Sequence, residues 1–131
     1  MPDNNPPCPC GNGQPYDRCC GRHLDGGEPA PSAEALMRSR YCAYVKRRED
    51  YLLATWHAAT RPVSLDLAVE VPPQWLGLDV RRHDPQDADH ATVEFVARYK
   101  INGRAHRLHE TSRFVREDGR WLYVDGAVGG K

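Results

Sequence analysis

The feature that most constrains this chain is a cysteine-rich stretch near its start. Four of the five cysteines lie in it as two close pairs, Cys8/Cys10 and Cys19/Cys20. A disulfide within the adjacent second pair would be strained, and cross-pairing of the two pairs would leave Cys42 unpaired. A tetrahedral zinc ion accepts thiolates from two facing turns, at about 2.3 Å, without that strain. The stretch therefore predicts a structural zinc knuckle.

Composition and charge limit the classes of function. The 131 residues include 18 basic and 18 acidic side chains, and four thiolates (−4) with one Zn²⁺ (+2) would make the protein net negative by two. Nucleic-acid binding is therefore not expected. The first seven residues lack the basic and apolar regions of a signal peptide, and no apolar run approaches the roughly 18 residues of a membrane span. We expect a cytoplasmic protein without membrane contact, where reducing conditions favour metal over disulfides.

The cysteine spacing resembles a known zinc-binding module. Cys-Pro-Cys-Gly-Asn-Gly, then Tyr16 and Cys-Cys-Gly, is similar to the SEC-C motif, named from the C-terminus of the SecA translocation motor. The resemblance assigns residues 1–27 to this module. The zinc ligands that it implies are Cys8, Cys10, Cys19 and Cys20, with His23 as the alternative fourth ligand. Asn12 replaces the usual serine, and the lysines common after that turn are absent.

After a short Gly- and Pro-rich linker, residues 32–131 read as one α+β domain. Apolar residues at helical spacing predict helices or helical turns at 32–46, where Ser32 is the N-cap, 49–56 and 64–71. Alternating apolar residues predict strands at 75–83, 90–101, 104–117 and 120–125. The dipeptides Asn102-Gly103 and Asp118-Gly119 predict tight hairpin turns between the last three strands.

These two turns determine the expected register of the sheet. One face then collects most of the aromatic and aliphatic side chains, and Glu110, Ser112 and Asp125 lie among them. Glu110 and Asp125 are expected as diagonal neighbours, about 7–8 Å apart at Cα. Because a buried carboxylate must be paired or protonated, Arg40 on the covering helix is the expected counter-ion. A bulge in the long third strand would shift this register.

Helices packed on a curved antiparallel sheet resemble the nuclear transport factor two-like (NTF2-like) fold, a cone with an internal cavity. The chain as a whole is more closely similar to the YchJ-like bacterial family, in which a SEC-C motif precedes such a domain. The stretches that carry this resemblance are residues 36–45, 51–57, 93–97, 109–114 and 121–126. The resemblance implies this fold and a zinc site rather than a reaction.

Two hypotheses for the function follow. In the first, which the sequence favours, the zinc motif is a structural module that contacts a protein partner, and the cone domain is a scaffold. In the second, the cavity binds a small molecule or supports isomerase- or dehydratase-like acid–base chemistry through Glu110 and Asp125. The cavity residues expected are Arg40, Tyr41, Tyr44, Trp56, Glu110, Ser112, Tyr123 and Asp125. No cofactor other than zinc is indicated, and nothing in the sequence indicates an oligomeric state.

Three further polar residues have structural expectations. Cys42 is predicted to be a spare thiol on the side of its helix away from the apolar stripe. His57 follows the second helix and is expected to cap it or to face solvent. His109 is expected on the wetter face of the sheet.

Overall fold

The computed structural model describes residues 7–65 and 73–128 of the chain. After a short 3₁₀ turn at Tyr16–Arg18, the helices are α1 (Gly21–Leu24), α2 (Ala33–Val45) and α3 (Glu49–Ala54). The strands are β1 (Gln74–Pro85), β2 (His90–Ile101), β3 (Arg104–Glu117) and β4 (Arg120–Val128). The predicted α+β class is confirmed. Within these two ranges, no helix has the length and apolar content needed to cross a membrane.

Helix α2 begins at the predicted cap. Ser32 has an extended backbone, and its Oγ accepts a hydrogen bond from Ala35 N at 3.1 Å. The helix ends at Val45, with Lys46 as its C-cap, so both predicted boundaries are confirmed. The helical turns predicted for residues 64–71 fall mostly outside the described residues.

Helix α3 ends two residues earlier than predicted because the chain then joins the sheet. Tyr123 N donates to Thr55 O, and His57 N donates to Tyr123 O, both at 2.8 Å. These bonds form a parallel bridge between Trp56 and Tyr123. The segment after α3 is therefore attached to β4 by its backbone.

The four strands form one antiparallel sheet in the order β1-β2-β3-β4. Asn102 and Gly103 have φ values of 53° and 77°, and Asp118 and Gly119 have 52° and 77°. Two consecutive positive φ values are the signature of the type I′ turn, so both predicted hairpins are confirmed. The register across the first turn is also confirmed; for example, β2 and β3 align with Phe95 opposite Glu110.

The predicted register across the second turn holds for only part of its length. Phe114 lies opposite Tyr123 as predicted, but the next pair is Arg113 with Asp125, since β4 carries an extra residue there. Ser112 therefore lies opposite Gly126 instead of Asp125. The bulge is in β4 rather than in the third strand, and it moves Asp125 to the opposite face of the sheet.

Helix α2 covers the inner face of the sheet, and α3 packs against α2. The buried core between these layers includes Leu36 and Leu52 from the helices and Val93 and Phe114 from the sheet. Strand β1 has two register shifts against β2. Such irregularities bend a strand, so the sheet curves around the helix and leaves space beneath it.

Candidate functional site

A cavity of about 250 Å³ lies between α2 and the inner face of the sheet. Its walls are mainly aromatic and aliphatic. The lining residues are Met37, Arg40, Tyr41, Tyr44, Trp75, Phe95, Ala97, Leu108, Glu110, Ser112 and Tyr123. Ordinary ligand pockets measure about 300–1,000 Å³, so this cavity suits a compact molecule.

Six of the eight residues predicted to line the cavity do so. They are Arg40, Tyr41, Tyr44, Glu110, Ser112 and Tyr123. Trp56 instead packs edge-on against the Tyr123 ring, with ring centroids 4.9 Å apart, and Asp125 is on the other face of the sheet. Trp75 also lines the cavity, and the sequence does not predict it there. Its pairing with Tyr99 depends on the register of β1, which no tight turn in the sequence specifies.

Glu110 is the acidic group of the cavity. Its Oε1 accepts from Ser112 Oγ at 3.3 Å and from Tyr123 Oη at 3.5 Å. Both distances are longer than the 2.5–3.0 Å typical of O–H···O hydrogen bonds. A Cβ added at Gly126 would overlap this carboxylate and lie 2.6 Å from Glu110 Cδ, so the absence of a side chain at Gly126 makes room for it. The carboxylate thus keeps most of its acceptor capacity for a ligand.

Arg40 is not the counter-ion that the sequence predicts for the two carboxylates. It is only 4% exposed, and its Nη1 donates to Leu52 O and Thr55 Oγ1, both at 2.8 Å. The guanidinium carbon lies 4.5 Å from the Tyr123 ring centroid and 5.0 Å from that of Trp56. Burial lowers the pKa of the Arg40 guanidinium. The group therefore satisfies the carboxyl end of α3 while bordering the cavity.

The predicted pair of Glu110 with Asp125 is wrong. Asp125 lies on the outer face, where Arg113 Nε donates to its Oδ1 at 2.6 Å and lowers the pKa of the carboxyl group. The cause is the bulge in β4, which reverses the face on which Asp125 lies. Glu110 is therefore the only carboxylate of the proposed pair that reaches the cavity.

The histidine side chains lie outside the cavity within the described ranges. His57 Nε2 is 2.8 Å from Glu117 Oε2 near the surface, as its predicted solvent-facing position implies. His109 Nε2 is 2.6 Å from Glu94 Oε2 on the outer face, which confirms its predicted side of the sheet. Neither imidazole can act on a molecule held beside Glu110.

The second candidate site is a buried group of four thiols, those of Cys8, Cys10, Cys19 and Cys20. Their Sγ atoms all lie within 4.8 Å of one another, with Cys10–Cys19 at 3.6 Å and Cys19–Cys20 at 3.9 Å. Sulfurs around a tetrahedral zinc ion with Zn–S bonds of about 2.3 Å are separated by about 3.8 Å. The four thiols therefore fit one metal ion.

Hydrogen bonds between the thiols favour the ionised, metal-binding form in the first pair. The contact with Cys10, foremost, lowers the pKa of Cys8. The contact with Cys20, foremost, lowers the pKa of Cys10 to about 6. The same contacts, first that with Cys10, raise the pKa of Cys20, so the four thiols do not ionise together. Because thiolates rather than thiols bind metal ions, a bound cation would displace the remaining protons.

The backbone of residues 8–20 explains why the thiols converge. Gly11 and Gly13 have φ values of 77° and 84°, and Cys8 N donates to Gln14 O at 2.9 Å to close the turn. Asn12, which replaces the usual serine of the motif, donates from Nδ2 to Cys19 Sγ at 3.5 Å. Its side chain therefore supplies a polar hydrogen to one of the four clustered sulfurs.

Two further residues lie beside the four-thiol group. His23, the alternative fourth ligand, has its Nδ1 2.7 Å from Glu28 O and is not part of the four-thiol group, whereas Cys20 is. Cys42, predicted as a spare thiol, is fully buried, and its Sγ lies 3.5 Å from Cys8 Sγ.

Comparisons with known proteins agree with this architecture. A family model described as the middle NTF2-like domain of YchJ matches residues 32–126, which confirms the predicted fold. A UPF0225 protein of Methylibium petroleiphilum is 61% identical over 125 residues, covering 93% of this chain and 88% of the relative. A UPF0225 protein of Cupriavidus metallidurans is 62% identical over 126 residues, covering 92% and 87%.

Two solved structures are also similar. The solution structure of a SEC-C motif-containing protein from Rhodopseudomonas palustris has a TM-score of 0.80 at 36% identity, covering 93% of this chain and 98% of that one. The crystal structure of a SEC-C motif-containing protein from Psychrobacter arcticus has a TM-score of 0.74 at 28% identity, covering 98% and 84%. The similarity thus extends across both the cysteine segment and the sheet.

Proposed function

This chain belongs to the YchJ-like family of UPF0225 proteins, and we propose that it binds a compact, uncharged polar molecule in its cavity while a structural zinc ion braces the cavity helix. The observation that carries the proposal is Glu110. Its carboxylate lines an otherwise apolar space and is held by two long hydrogen bonds. A group in that position accepts hydrogen bonds from whatever fills the cavity.

The charges and shape of the cavity lining support this choice of ligand. Arg40 and Glu110 contribute one positive and one negative charge, so the cavity has no net charge to favour an ion. Tyr41, Trp75 and Phe95 supply flat aromatic walls. We therefore expect an aromatic or branched apolar body that carries an amide or hydroxyl group, with its N–H or O–H donated to Glu110.

Binding is favoured over acid–base catalysis. A carboxylate dyad requires a second titratable group within reach, and Asp125 is on the opposite face of the sheet. Within the described part of the chain, the cavity lining contains no histidine, cysteine or second carboxylate. Glu110 acting alone provides recognition of a donor group rather than a two-step proton transfer.

The four-cysteine centre is proposed to hold zinc as a structural ion. Four protein ligands complete a tetrahedral shell and leave no position for a substrate. The reducing cytoplasm predicted from the sequence would keep the thiols available for metal. The centre packs on α2, where Arg38 Nη1 donates to Cys10 O at 2.9 Å. A protein partner that contacts the zinc motif stays a prediction.

The ligand proposal is tested with four probes of similar shape: benzamide, benzyl alcohol, toluene and benzoate. Each is titrated into ¹⁵N-labelled protein while the indole N–H signals of Trp75, in the cavity, and Trp121, outside it, are recorded. We expect saturable shifts of the Trp75 signal with benzamide and benzyl alcohol, weaker shifts with toluene, and none with benzoate. The Trp121 signal should not shift with any of the four probes.

Glu110→Gln supplies the variant and Glu94→Gln its matched control, since Glu94 lies on the outer face of the neighbouring strand beside His109. Glu110→Gln should weaken benzamide binding, and Glu94→Gln should not. Equal affinities in the two variants, or equal shifts for toluene and benzamide, would refute the role given to Glu110.

A further inference from the structure

The fifth cysteine of the chain lies against the metal centre although it is outside the SEC-C motif. Cys42 is in the second half of α2, has no exposed surface, and its Sγ is 3.5 Å from Cys8 Sγ. It comes from a different element than the four thiols that converge on one point. Helix α2 therefore presents a thiol directly to the cysteine segment.

The coordination number of zinc limits what this thiol can do. The four converging thiols already complete a tetrahedral shell. Cys42, whose side chain contacts those of Cys8, Cys10 and Cys20, can still donate its S–H. A hydrogen bond to an ionised acceptor is about twice as strong as a neutral one. We infer that Cys42 is a positioning residue of the metal centre, whose S–H donates a hydrogen bond to the Cys8 thiolate.

This contact works together with a second one from the same helix. Arg38, one helical turn before Cys42, donates from Nη1 to Cys10 O at 2.9 Å. Helix α2 therefore holds both cysteines of the first pair, one by its sulfur and one by its carbonyl oxygen. Arg40 and Tyr44, on another side of this helix, line the cavity. The metal centre and the cavity thus share one supporting helix.

Two measurable properties follow from a donor at Cys8. Hydrogen-bond partners of metal ligands typically account for about 10–100-fold in metal affinity. A hydrogen bond also withdraws electron density from the sulfur, so the Cys8 thiolate becomes less nucleophilic. Removing the donor should therefore weaken zinc binding and make Cys8 react faster with an alkylating reagent.

The experiment compares the zinc-loaded wild-type protein with Cys42→Ala, Cys42→Val and Cys42→Ser. Zinc affinity is measured by competition with a chromophoric chelator. Alkylation by iodoacetamide is followed by peptide mapping, with Cys19 as the internal reference for general loosening. We expect Cys42→Ala and Cys42→Val to lose about 10–100-fold in zinc affinity and to raise the Cys8/Cys19 alkylation ratio. Cys42→Ser keeps an O–H donor and should stay near wild type on both measures.

Three results would overturn the inference. The first is unchanged zinc affinity in Cys42→Ala and Cys42→Val. The second is a Cys42→Ser variant that behaves like Cys42→Ala, since packing rather than a donor would then explain the effect. The third is a Cys19→Ser variant that still binds one zinc ion and whose cobalt(II)-substituted form has the spectrum of four sulfur ligands, since Cys42 would then be a ligand. Because Cys42→Val fills the buried space, it can be compared with Cys42→Ser even if Cys42→Ala fails to fold.

The inference rests on the proposed zinc ion, and the same experiment distinguishes a failure of the zinc proposal from a failure of the role given to Cys42. If wild-type protein binds no zinc, the metal proposal itself fails. If wild-type protein binds one zinc and the Cys42 variants bind it equally well, only the role of Cys42 fails.

Discussion

Replacing Gly126 by alanine is expected to disable the cavity without changing any residue that lines it. Gly126 lies outside the positive-φ region, so alanine fits the backbone there. Its new Cβ would overlap the Glu110 carboxylate and lie 2.6 Å from Cδ, whereas ordinary contacts begin at 3.4 Å. The carboxyl end of Glu110 must therefore swing away from β4.

The two expected effects of this displacement differ in size. Folding loses the long hydrogen bonds from Ser112 and Tyr123, at most about 1 kcal/mol each. Alanine recovers about 0.5–1 kcal/mol over glycine in a strand. The unfolding free energy measured in urea should thus fall by no more than about 1.5 kcal/mol. Benzamide binding loses a hydrogen bond to a charged group, about 1.5–3 kcal/mol, so its affinity should fall about ten- to hundredfold.

Gly77→Ala is the matched control. Gly77 lies in β1, has no positive φ, and a Cβ added there would meet nothing within 4 Å. We expect this variant to bind benzamide as the wild type does, in the same Trp75 titration. Wild-type affinity in Gly126→Ala would refute the argument that the position of the Glu110 carboxylate governs binding.

Three further outcomes are expected. Arg40→Met removes the 2.8 Å donor of the buried Leu52 carbonyl, which keeps only the long bond from Thr55 Oγ1 at 3.4 Å, so urea denaturation should show a loss of about 1–3 kcal/mol in unfolding free energy. An unchanged midpoint would contradict the structural role of Arg40. Asp125→Asn alters only the exposed outer-face pair with Arg113, so benzamide affinity should stay at the wild-type value. A marked loss of benzamide affinity would show that Asp125 takes part in the cavity after all. Burial raises the pKa of Tyr41 from 10.0 to about 12, so the neutral phenol stabilises the fold fully below about pH 10, and this contribution is lost as the pH rises to about 12. In guanidinium titrations, Tyr41→Phe should therefore lose less stability than the wild type between about pH 10 and pH 12. An equal loss in the two proteins would contradict this role of Tyr41.

Local signals in the sequence determined most of the fold correctly. The Ser32 cap, the two Xaa-Gly hairpins and the alternation in β2 each depend on neighbouring residues, and each is confirmed. Once the first hairpin was placed, the positions of Glu110 and Ser112 on the inner face followed. Short-range chemistry alone was therefore sufficient for these elements.

The errors arose where distant segments meet. The bulge in β4 accompanies the backbone bridge from the segment after α3 to Tyr123, and no local pattern in residues 120–125 marks it. Arg40 was assigned to the carboxylates because they share a face, but the end of α3 offered it a carbonyl and a hydroxyl instead. The contact of Cys42 with Cys8 joins residues 34 positions apart, which helical periodicity cannot reveal.

The central claim is that the cavity holds a small molecule while the cysteine segment holds zinc. Native mass spectrometry of the protein purified from its own cells tests this claim most directly. Ala97 is buried in the cavity wall, so Ala97→Leu should fill the cavity while leaving the cysteine segment intact. We predict that wild-type protein carries one zinc ion and one small organic molecule, and that Ala97→Leu carries the zinc alone. The account is contradicted if both proteins carry the same organic adduct, or if wild-type protein has the mass of the bare chain.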